Sequence, residues 1–273
     1  MTIKLIALDL DGTTLRDDKE LSEATKEVFL EAIKKDIHVV IATGRCFHSL
    51  PKVLDGLEGL EYAITSNGAD IRELTVGTSI YKNCIDPTEI ENIYRFLKRK
   101  PFMTEVFTDG RAYISQEDYD KVLNGEYPSR TIGYVKGTRI PMPELLEFML
   151  SKKDEIENIN LFFFSEDERI ELINEVNSLK NITLTSSMSN NCEIGSKTTS
   201  KATGLIALMD RLGIYKEEIM AVGDSPNDIE MLKLAGVSVA VENAVDSVKN
   251  VAKYITDSNK NDGVANAIKK YAL

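Results

Sequence analysis

The sequence predicts an α/β protein, in which a Rossmann-like parallel sheet core carries an inserted α+β cap domain. Three observations predict this fold. Short apolar runs near both ends of the chain alternate with segments of helical periodicity, as in a parallel sheet with right-handed crossovers. The middle of the chain instead combines a hairpin pattern with interspersed helices. Several apolar runs stop at polar residues, which is typical of parallel strands that end at a ligand-binding edge.

The first part of the chain carries three predicted strands. Ile3–Leu8 is apolar and fits a strand that is buried on both faces, and Ser22 can cap the helix that follows it. Ile37–Ala42 and Tyr62–Thr65 are the next predicted strands, with a short helix between them. The polar residues at the ends of these strands are Asp9, Thr43 and the segment Ser66-Asn67-Gly68.

The middle of the chain has a different pattern. Asp86 indicates the start of a helix, with Pro at the next position. Met103–Ile114 is predicted to form a hairpin that turns at Asp109-Gly110, because Asp-Gly favours a two-residue turn. Ser165 opens a further helix. We therefore predict a core formed by residues 1–83 and 188–273 and an inserted domain formed by residues 84–187.

In the last part of the chain, apolar runs again alternate with segments of helical periodicity, as they do near its start. Lys201 stands at the start of a predicted helix, and Ile219–Val222 is a predicted strand that ends at Asp224. Ser225 and Asp228 have the spacing of a cap for the next helix. The last two predicted strands are Val237–Val241 and Tyr254–Thr256.

The composition excludes several classes of protein. A formal net charge of −11 argues against a general nucleic-acid binder, because phosphate backbones attract basic surfaces. No apolar stretch approaches the roughly 20 residues that span a bilayer. Cys46, Cys84 and Cys192 are far apart and lack the spacing of a zinc site or of a disulfide framework. Together with a start too acidic for a signal peptide, these features predict a cytoplasmic protein without a membrane partner.

Four carboxylates follow predicted strands: Asp9, Asp11, Asp224 and Asp228. Two carboxylates about 4 Å apart repel by roughly 4 kcal/mol at an effective dielectric constant near 20. A cation is expected to offset this repulsion. Oxygen ligands without His or Cys favour Mg²⁺.

An aspartate can act as a covalent nucleophile in phosphoryl transfer, which makes Asp9 a candidate. Lys201 could neutralise the phosphoryl oxygens, and Thr43 and Asn227 could donate hydrogen bonds to them. Asp11 lies two residues after Asp9, so that it could act first as a general acid and then as a base for water.

Together these segments resemble the four ordered motifs of the haloacid dehalogenase-like (HAD) hydrolases. The matching segments are Asp9-Leu10-Asp11-Gly12-Thr13, Thr43 in Ala42-Thr43-Gly44-Arg45, Lys201, and Gly223-Asp224-Ser225-Pro226-Asn227-Asp228. The long insert between the second and third motifs is similar to the large α/β cap of the Cof-type branch. The resemblance covers the whole chain. Ala202 and Thr14 depart from the common pattern, but neither is a reacting group.

The resemblance implies a role for each motif residue. Asp9 would be the nucleophile and a metal ligand. Asp11 would be the acid/base and would bind the metal through its backbone carbonyl. Asp224 would be the remaining protein ligand of Mg²⁺. The phosphate-binding residues would be Leu10, through its backbone, with Thr43, Gly44, Lys201 and Asn227, and the supporting residues would be Asp228, Asn67 and Arg45.

Two of the supporting residues have two interpretations each. Asp228 either caps the helix that begins after Ser225 or supports the metal site. Arg45 either pairs with a surface carboxylate or contacts the substrate.

The sequence therefore predicts a Mg²⁺-dependent phosphatase that hydrolyses small phosphorylated metabolites, such as sugar phosphates, through an aspartyl-phosphate on Asp9. A phosphotransferase or mutase on the same scaffold is the alternative, because it would share these residues. A phosphate-storing receiver domain is disfavoured, since receivers are small single domains without an inserted segment. The sequence indicates neither the individual substrate nor the oligomeric state.

Overall fold

The computed structural model describes residues 2–127, 129–186 and 188–273. The chain divides into two compact units. The first unit consists of Met1–Arg45, Leu50–Tyr81 and Ser200–Leu273, and the second consists of Cys46–Ser49 and Lys82–Thr199. Ser187, where the inserted domain is predicted to end, lies outside the described residues. The division into 1–83, 84–187 and 188–273 stays a prediction.

The elements are numbered in chain order. The strands are β1 (Leu5–Leu8), β2 (His38–Ala42), β3 (Tyr62–Thr65), β4 (Asp70–Glu73), β5 (Thr78–Lys82), β6 (Met103–Thr108), β7 (Arg111–Ser115), β8 (Arg139–Met142), β9 (Ile156–Phe162), β10 (Ile182–Thr185), β11 (Asn191–Ser196), β12 (Ile219–Gly223), β13 (Val237–Ala240) and β14 (Tyr254–Ile255). The helices are α1 (Glu23–Lys34), α2 (Pro87–Arg99), α3 (Gln116–Leu123), α4 (Ile132–Thr138), α5 (Leu145–Ser151), α6 (Glu166–Val176), α7 (Lys201–Leu212), α8 (Ile229–Leu234), α9 (Asp246–Lys249) and α10 (Gly263–Tyr271).

The first unit is built on one sheet with the strand order β14-β13-β12-β1-β2-β3-β4-β5. The strands from β14 to β3 are parallel, and β4 is antiparallel to β3. All four residues of β1 are buried, as its uninterrupted apolar sequence predicts for a central strand. The fold class predicted from the sequence is confirmed: a parallel α/β core carries an inserted α+β segment.

Helices α1 and α7 begin where the sequence places them, whereas the chain forms a 3₁₀ turn at Pro226–Asp228 before α8 begins at Ile229. Ser22 caps α1, because its side chain accepts a hydrogen bond from the backbone N–H of Thr25 at 3.1 Å. Ser200 caps α7 in the same way, accepting from the N–H of Thr203 at 3.1 Å. This cap fixes Lys201 as the first residue of α7.

The second unit contains a sheet with the strand order β10-β11-β9-β6-β7-β8. Neighbouring strands are antiparallel except for β7 and β8. The predicted hairpin is formed by β6 and β7, and both residues of its turn have positive φ, 49° at Asp109 and 68° at Gly110. This backbone is what a two-residue turn requires and what Asp-Gly favours.

One detail differs from the sequence prediction. Between β2 and β3 the chain forms two 3₁₀ turns, at Phe47–Ser49 and Lys52–Leu54, where a short helix was predicted. The second unit continues to Thr199 because β11 pairs with β9 and β10. None of the helices within the described part of the chain has the length and apolar character needed to cross a bilayer.

Candidate active site

Two aspartates follow neighbouring parallel strands of the first unit. Asp9 comes directly after β1, and Asp224 comes directly after β12. These strands are in register, with Leu8 opposite Val222, so both aspartates lie at the carboxyl edge of the sheet. This edge is where ligands bind in open α/β sheets.

Lys201 joins two of the predicted site carboxylates. Its Nζ donates to Asp9 Oδ1 at 2.6 Å and to Asp228 Oδ1 at 2.7 Å. Lys201 is 1% exposed, Asp228 is 0% exposed and Asp9 is 5% exposed. A buried cation is therefore held between two buried carboxylates.

Asp228 makes hydrogen bonds with both of its carboxylate oxygens. Its Oδ2 accepts hydrogen bonds from the backbone N–H groups of Asp224 and Ser225, each at 3.0 Å. These bonds shape the turn that leads into α8, while Oδ1 binds Lys201. Both oxygens of Asp228 are thus engaged within the protein.

Asp224 is oriented by two hydroxyl groups. Thr13 Oγ1 donates to Asp224 Oδ1 at 2.9 Å, and Ser225 Oγ donates to Asp224 Oδ2 at 3.1 Å. Ser225 was predicted to be part of a helix cap, but neither hydroxyl was predicted to orient Asp224, although both stand inside the motifs.

Asp11 is bound by two cations. Arg45 forms a bidentate pair with it, with Nε 2.7 Å from Oδ2 and Nη2 2.7 Å from Oδ1. Lys19 Nζ adds a contact of 3.0 Å to Oδ1. Arg45 thus pairs with a carboxylate of the predicted site, whereas the sequence predicted a surface carboxylate or the substrate as its partner. Nothing in the sequence around Lys19 indicates its contact.

The ends of β2 and β3 are fastened to each other. Thr43 is buried, and its backbone carbonyl accepts the N–H of Asn67 at 3.0 Å. The side-chain oxygen of Asn67 accepts from Asn227 Nδ2 at 3.0 Å.

Gly68 has φ of 99°, and a Cβ there would overlap the carbonyl oxygen of Ser200 at the start of α7. Only glycine fits at that position.

Leu10 and Gly44 contribute through the backbone. Leu10 is buried, and its carbonyl accepts the N–H groups of Thr14 at 3.0 Å and Leu15 at 2.8 Å, which closes the turn after β1. A Cβ on Gly44 would lie 3.1 Å from the side-chain oxygen of Asn67, so the absent side chain lets the two loops pack closely.

The site also uses a residue that the sequence analysis missed. Asn243 Nδ2 donates to the backbone carbonyl of Gly12 at 2.7 Å, and its side-chain oxygen accepts from the N–H of Asn259 at 2.9 Å. Asn243 therefore ties the loop after β1 to the loop before α10. A signal was present, because Asn243 is a polar residue shortly after a predicted strand.

The carboxylates of Asp9, Asp224 and Asp228 affect one another's pKa values. Burial raises the pKa of Asp9 well above its usual value, and the charges of Asp228 and Asp224 add to this, although Lys201 opposes it. Burial and the charge of Asp228 also raise the pKa of Asp224. For Lys201, burial alone would lower the pKa, but the charges of Asp228 and Asp9 outweigh it and keep the ammonium protonated.

The pKa of Asp11 is shifted in the opposite direction. Burial alone would raise its pKa, but the hydrogen bonds and charge of Arg45, together with Lys19, outweigh this effect and lower the pKa. In this arrangement Asp11 is a stable carboxylate.

The donor set fits a divalent cation. One carboxylate oxygen from each of Asp9, Asp224 and Asp228 lies within 4.8 Å of the others. Asp9 Oδ2 is buried and has no hydrogen-bond partner among the described residues. A buried acceptor without a partner is unfavourable, and hard oxygen donors suit Mg²⁺.

Known proteins with similar sequences and a similar structure were found by comparison. The family model for haloacid dehalogenase-like hydrolases matches residues 6–268. The 5-amino-6-(5-phospho-D-ribitylamino)uracil phosphatase YcsE of Bacillus subtilis (strain 168) is 32% identical over 271 residues, which cover 99% of this chain and 96% of that protein. Phosphatase YwpJ of the same organism is 30% identical over 285 residues, covering 98% of this chain and 99% of that protein. A solved haloacid dehalogenase-like hydrolase from B. subtilis has a TM-score of 0.84 and 29% identity, covering 99% of this chain and 100% of the other. The chain belongs to the haloacid dehalogenase-like hydrolases, among which these two curated relatives are phosphatases.

Proposed function

We propose that the chain hydrolyses small phosphomonoesters through an aspartyl-phosphate formed on Asp9. The observation that supports this most directly is the environment of the Asp9 carboxylate. It is buried, Lys201 holds one of its oxygens at 2.6 Å, and the other oxygen has no hydrogen-bond partner in the described part of the chain. The orientation of this carboxylate is therefore fixed, and one of its oxygens is available to bond to phosphorus.

The proposed reaction has two steps. In the first, an Asp9 oxygen bonds to phosphorus while the bond from phosphorus to the leaving oxygen breaks, and Asp11 gives that oxygen a proton. In the second, Asp11 takes a proton from water as the water oxygen bonds to phosphorus and the Asp9–phosphorus bond breaks. Proton transfer requires Asp11 to leave its bidentate pair with Arg45, because a carboxylate between two cations holds a proton weakly.

The remaining motif residues would bind the phosphoryl group. Lys201 would offset the charge of its oxygens, with hydrogen bonds from Thr43, Asn227 and the backbone at Leu10 and Gly44. Asn67 holds Asn227 in place through its side-chain oxygen. Asp228 anchors Lys201 and the turn after β12, so its role is to position these groups.

We assign Mg²⁺ to Asp9, Asp224 and the backbone carbonyl of Asp11. When bound, Mg²⁺ would neutralise negative charge on the phosphoryl oxygens. The hydroxyl groups of Thr13 and Ser225 donate hydrogen bonds that fix the orientation of the Asp224 carboxylate. Residues that hydrogen-bond to metal ligands commonly have this role.

Chelation of the metal is expected to abolish turnover of p-nitrophenyl phosphate, and added Mg²⁺ is expected to restore it. In Asp224→Asn the Mg²⁺ concentration for half-maximal activity should rise by about tenfold or more, because a charged oxygen ligand is lost. Asp210→Asn, at an exposed position of α7, is the matched control and should keep the native Mg²⁺ requirement. An unchanged requirement in Asp224→Asn would remove Asp224 from the metal site.

The substrate is proposed to be a small phosphorylated metabolite, such as a sugar phosphate. YcsE is named for action on 5-amino-6-(5-phospho-D-ribitylamino)uracil, which makes that compound a further candidate. A panel of phosphorylated metabolites that includes it, ranked by kcat/KM, would identify the preferred class.

Trapping the intermediate tests the proposed function. After rapid mixing with a ³²P-labelled phosphomonoester and an acid quench, we expect label on the protein, located at Asp9 by peptide mapping. The label should decay with release of inorganic phosphate. Labelled phosphate that appears on an added sugar acceptor in place of inorganic phosphate would favour the phosphotransferase alternative. No label on the protein at any time would contradict the covalent mechanism.

A further inference from the structure

The chain turns back on itself between Arg16 and Glu20, shortly after the loop that carries Asp11. The N–H of Lys19 donates to the carbonyl of Arg16 at 2.9 Å, and the N–H of Arg16 donates to the carbonyl of Glu20 at 3.0 Å. Lys19 has φ of 67°, which is left-handed backbone. A tight turn that ends in one left-handed residue favours glycine at that position, because glycine has no Cβ.

A lysine is unusual at such a position. The other described residues that combine positive φ with a side chain are Asp, Asn or Ser. Short polar side chains can hydrogen-bond locally in left-handed backbone, whereas the long side chain of Lys19 gains nothing from it. The turn would be more stable with glycine. Unfavourable backbone of this kind is concentrated at functional sites, which indicates a role for Lys19 outside the turn.

The side chain of Lys19 reaches the candidate active site. Its Nζ lies 3.0 Å from Asp11 Oδ1, and the side chain is 59% exposed. An exposed ion pair contributes little to stability, so this contact offsets little of the unfavourable backbone. The carboxylate also has a second partner, because Arg45 binds both of its oxygens. Asp11 is thus paired with two cations although it carries one charge.

The acidic residues of the turn have partners of their own. Asp17 Oδ2 pairs with Lys260 Nζ at 2.7 Å, and Asp18 Oδ1 accepts the N–H of Glu20 at 3.1 Å. The Lys19 ammonium is bound to Asp11 and not to these neighbours. Its charge is therefore placed at the active site.

The charge of Lys19 decides the sign of the loaded site. The charged groups assigned to the site are the carboxylates of Asp9, Asp11, Asp224 and Asp228 and the cations Lys201, Arg45 and Lys19. The carboxylates outnumber these cations by one, so the site has one positive charge when Mg²⁺ is bound. Without Lys19 the same site would be neutral. A phosphomonoester is close to a dianion at neutral pH and is attracted only by a positive site.

We propose that Lys19 attracts and holds the phosphate group of the substrate through its charge, as a further binding residue of the active site. Lys201 cannot draw in an anion in this way, because it is 1% exposed and lies between two carboxylates. The exposed ammonium of Lys19 meets an approaching anion first. The inference rests on the proposed function, because the anion is taken to be the substrate phosphate.

Removal of the side chain tests the proposal. In Lys19→Gly, which suits left-handed backbone, the thermal midpoint should equal or exceed that of the native protein. The Kd for inorganic phosphate, measured by calorimetry with Mg²⁺ at about 20 mM ionic strength, should nevertheless rise about fivefold. This is the order expected for one charge that acts on a dianion across several ångströms of water. A purely structural role for Lys19 would not weaken binding without weakening the fold.

Salt and two further variants separate the charge from the packing of the side chain. At about 500 mM ionic strength, the Kd values of the native protein and Lys19→Gly should converge, because exposed charges are screened. Lys19→Arg keeps the charge and should bind phosphate within about twofold of the native protein at low ionic strength. Lys35→Gln is the matched control, because it removes the same charge shortly before β2 begins, at the opposite edge of the sheet. It should have the native Kd at both ionic strengths.

Turnover gives an independent measurement of the same effect. At low ionic strength, kcat/KM for p-nitrophenyl phosphate should fall about fivefold in Lys19→Gly, mainly through KM, because the charge acts on the binding of the anion.

The outcomes separate this inference from the proposed function. Native phosphate affinity in Lys19→Gly at low ionic strength would overturn the role of Lys19. A loss of affinity that persists in high salt, or an equal loss in Lys19→Arg, would overturn it as well. A native protein that binds phosphate but does not hydrolyse p-nitrophenyl phosphate would contradict the proposed function, and the phosphate titration would still decide the role of Lys19.

Discussion

Replacement of Asp9 by Asn is expected to lower kcat for p-nitrophenyl phosphate by at least about 10⁴-fold in saturating Mg²⁺. The amide has nearly the same shape as the carboxylate but is a poor nucleophile toward phosphorus. The variant also loses one of the charges that Lys201 neutralises. No other described carboxylate can take over, since both oxygens of Asp228 are engaged and Asp224 is held by Thr13 and Ser225.

The comparison needs a folded variant and a matched control. Circular dichroism and thermal unfolding should show that Asp9→Asn is folded, because removal of a charge near Asp224 and Asp228 relieves repulsion. Asp246→Asn, at the exposed start of α9, should have native kcat. If Asp9→Asn kept kcat within tenfold of the native value, Asp9 would not be the nucleophile.

The sequence was sufficient to predict the fold class and to find the edge where the site carboxylates meet. Strands such as β1 are uninterrupted apolar runs, so burial on both faces is visible in the residues themselves. Because such strands end at polar residues, Asp9 and Asp224 could be placed at one edge before any contact was known. The hairpin of β6 and β7 was predictable for a similar local reason, the Asp109-Gly110 turn.

Features that depend on contacts distant in sequence were not predictable. Strand β11 reads Asn-Cys-Glu-Ile-Gly-Ser, which lacks the apolar pattern of a strand. Its Asn191 and Glu193 are nevertheless buried in the sheet, where β11 pairs with β9 and β10. Strands β4 and β5 were missed as well, and within β4 the buried Asp70 and Arg72 pair with each other at 2.6 Å. Strand pairing thus compensates for the polar sequence of β11, and side-chain pairing compensates for that of β4.

The hydrogen bonds between individual site residues were likewise not predictable, because they join residues that are distant in sequence. Asp11 was expected to face the reacting group, and no local signal indicated its bidentate pair with Arg45, which is 34 residues away. The contact of Asn243 with the Gly12 carbonyl joins residues that are 231 positions apart. Motifs give the types of residue at a site, but the hydrogen bonds among them are set by the packing of the whole sheet.

Replacement of Lys201 by Met is expected to lower the free energy of unfolding by about 3–5 kcal/mol and to abolish measurable turnover. Met has a similar length but no charge, so Asp9 and Asp228 would be left as buried carboxylates without their shared cation. Urea unfolding in the presence of a chelator measures this effect without a contribution from bound metal. Lys233→Met is the control, since Lys233 pairs with Glu230 on the surface and its loss should not change stability measurably.

A double variant tests whether the uncompensated charge is the cause. In Lys201→Met/Asp228→Asn, the amide oxygen can still accept the N–H groups of Asp224 and Ser225, while one buried negative charge is gone. We therefore expect this double variant to recover part of the stability that Lys201→Met loses, although it should remain inactive. If the two substitutions were additive in their destabilisation, packing of the Lys201 side chain would explain the loss, and the charge network would not be what holds Asp9 in place.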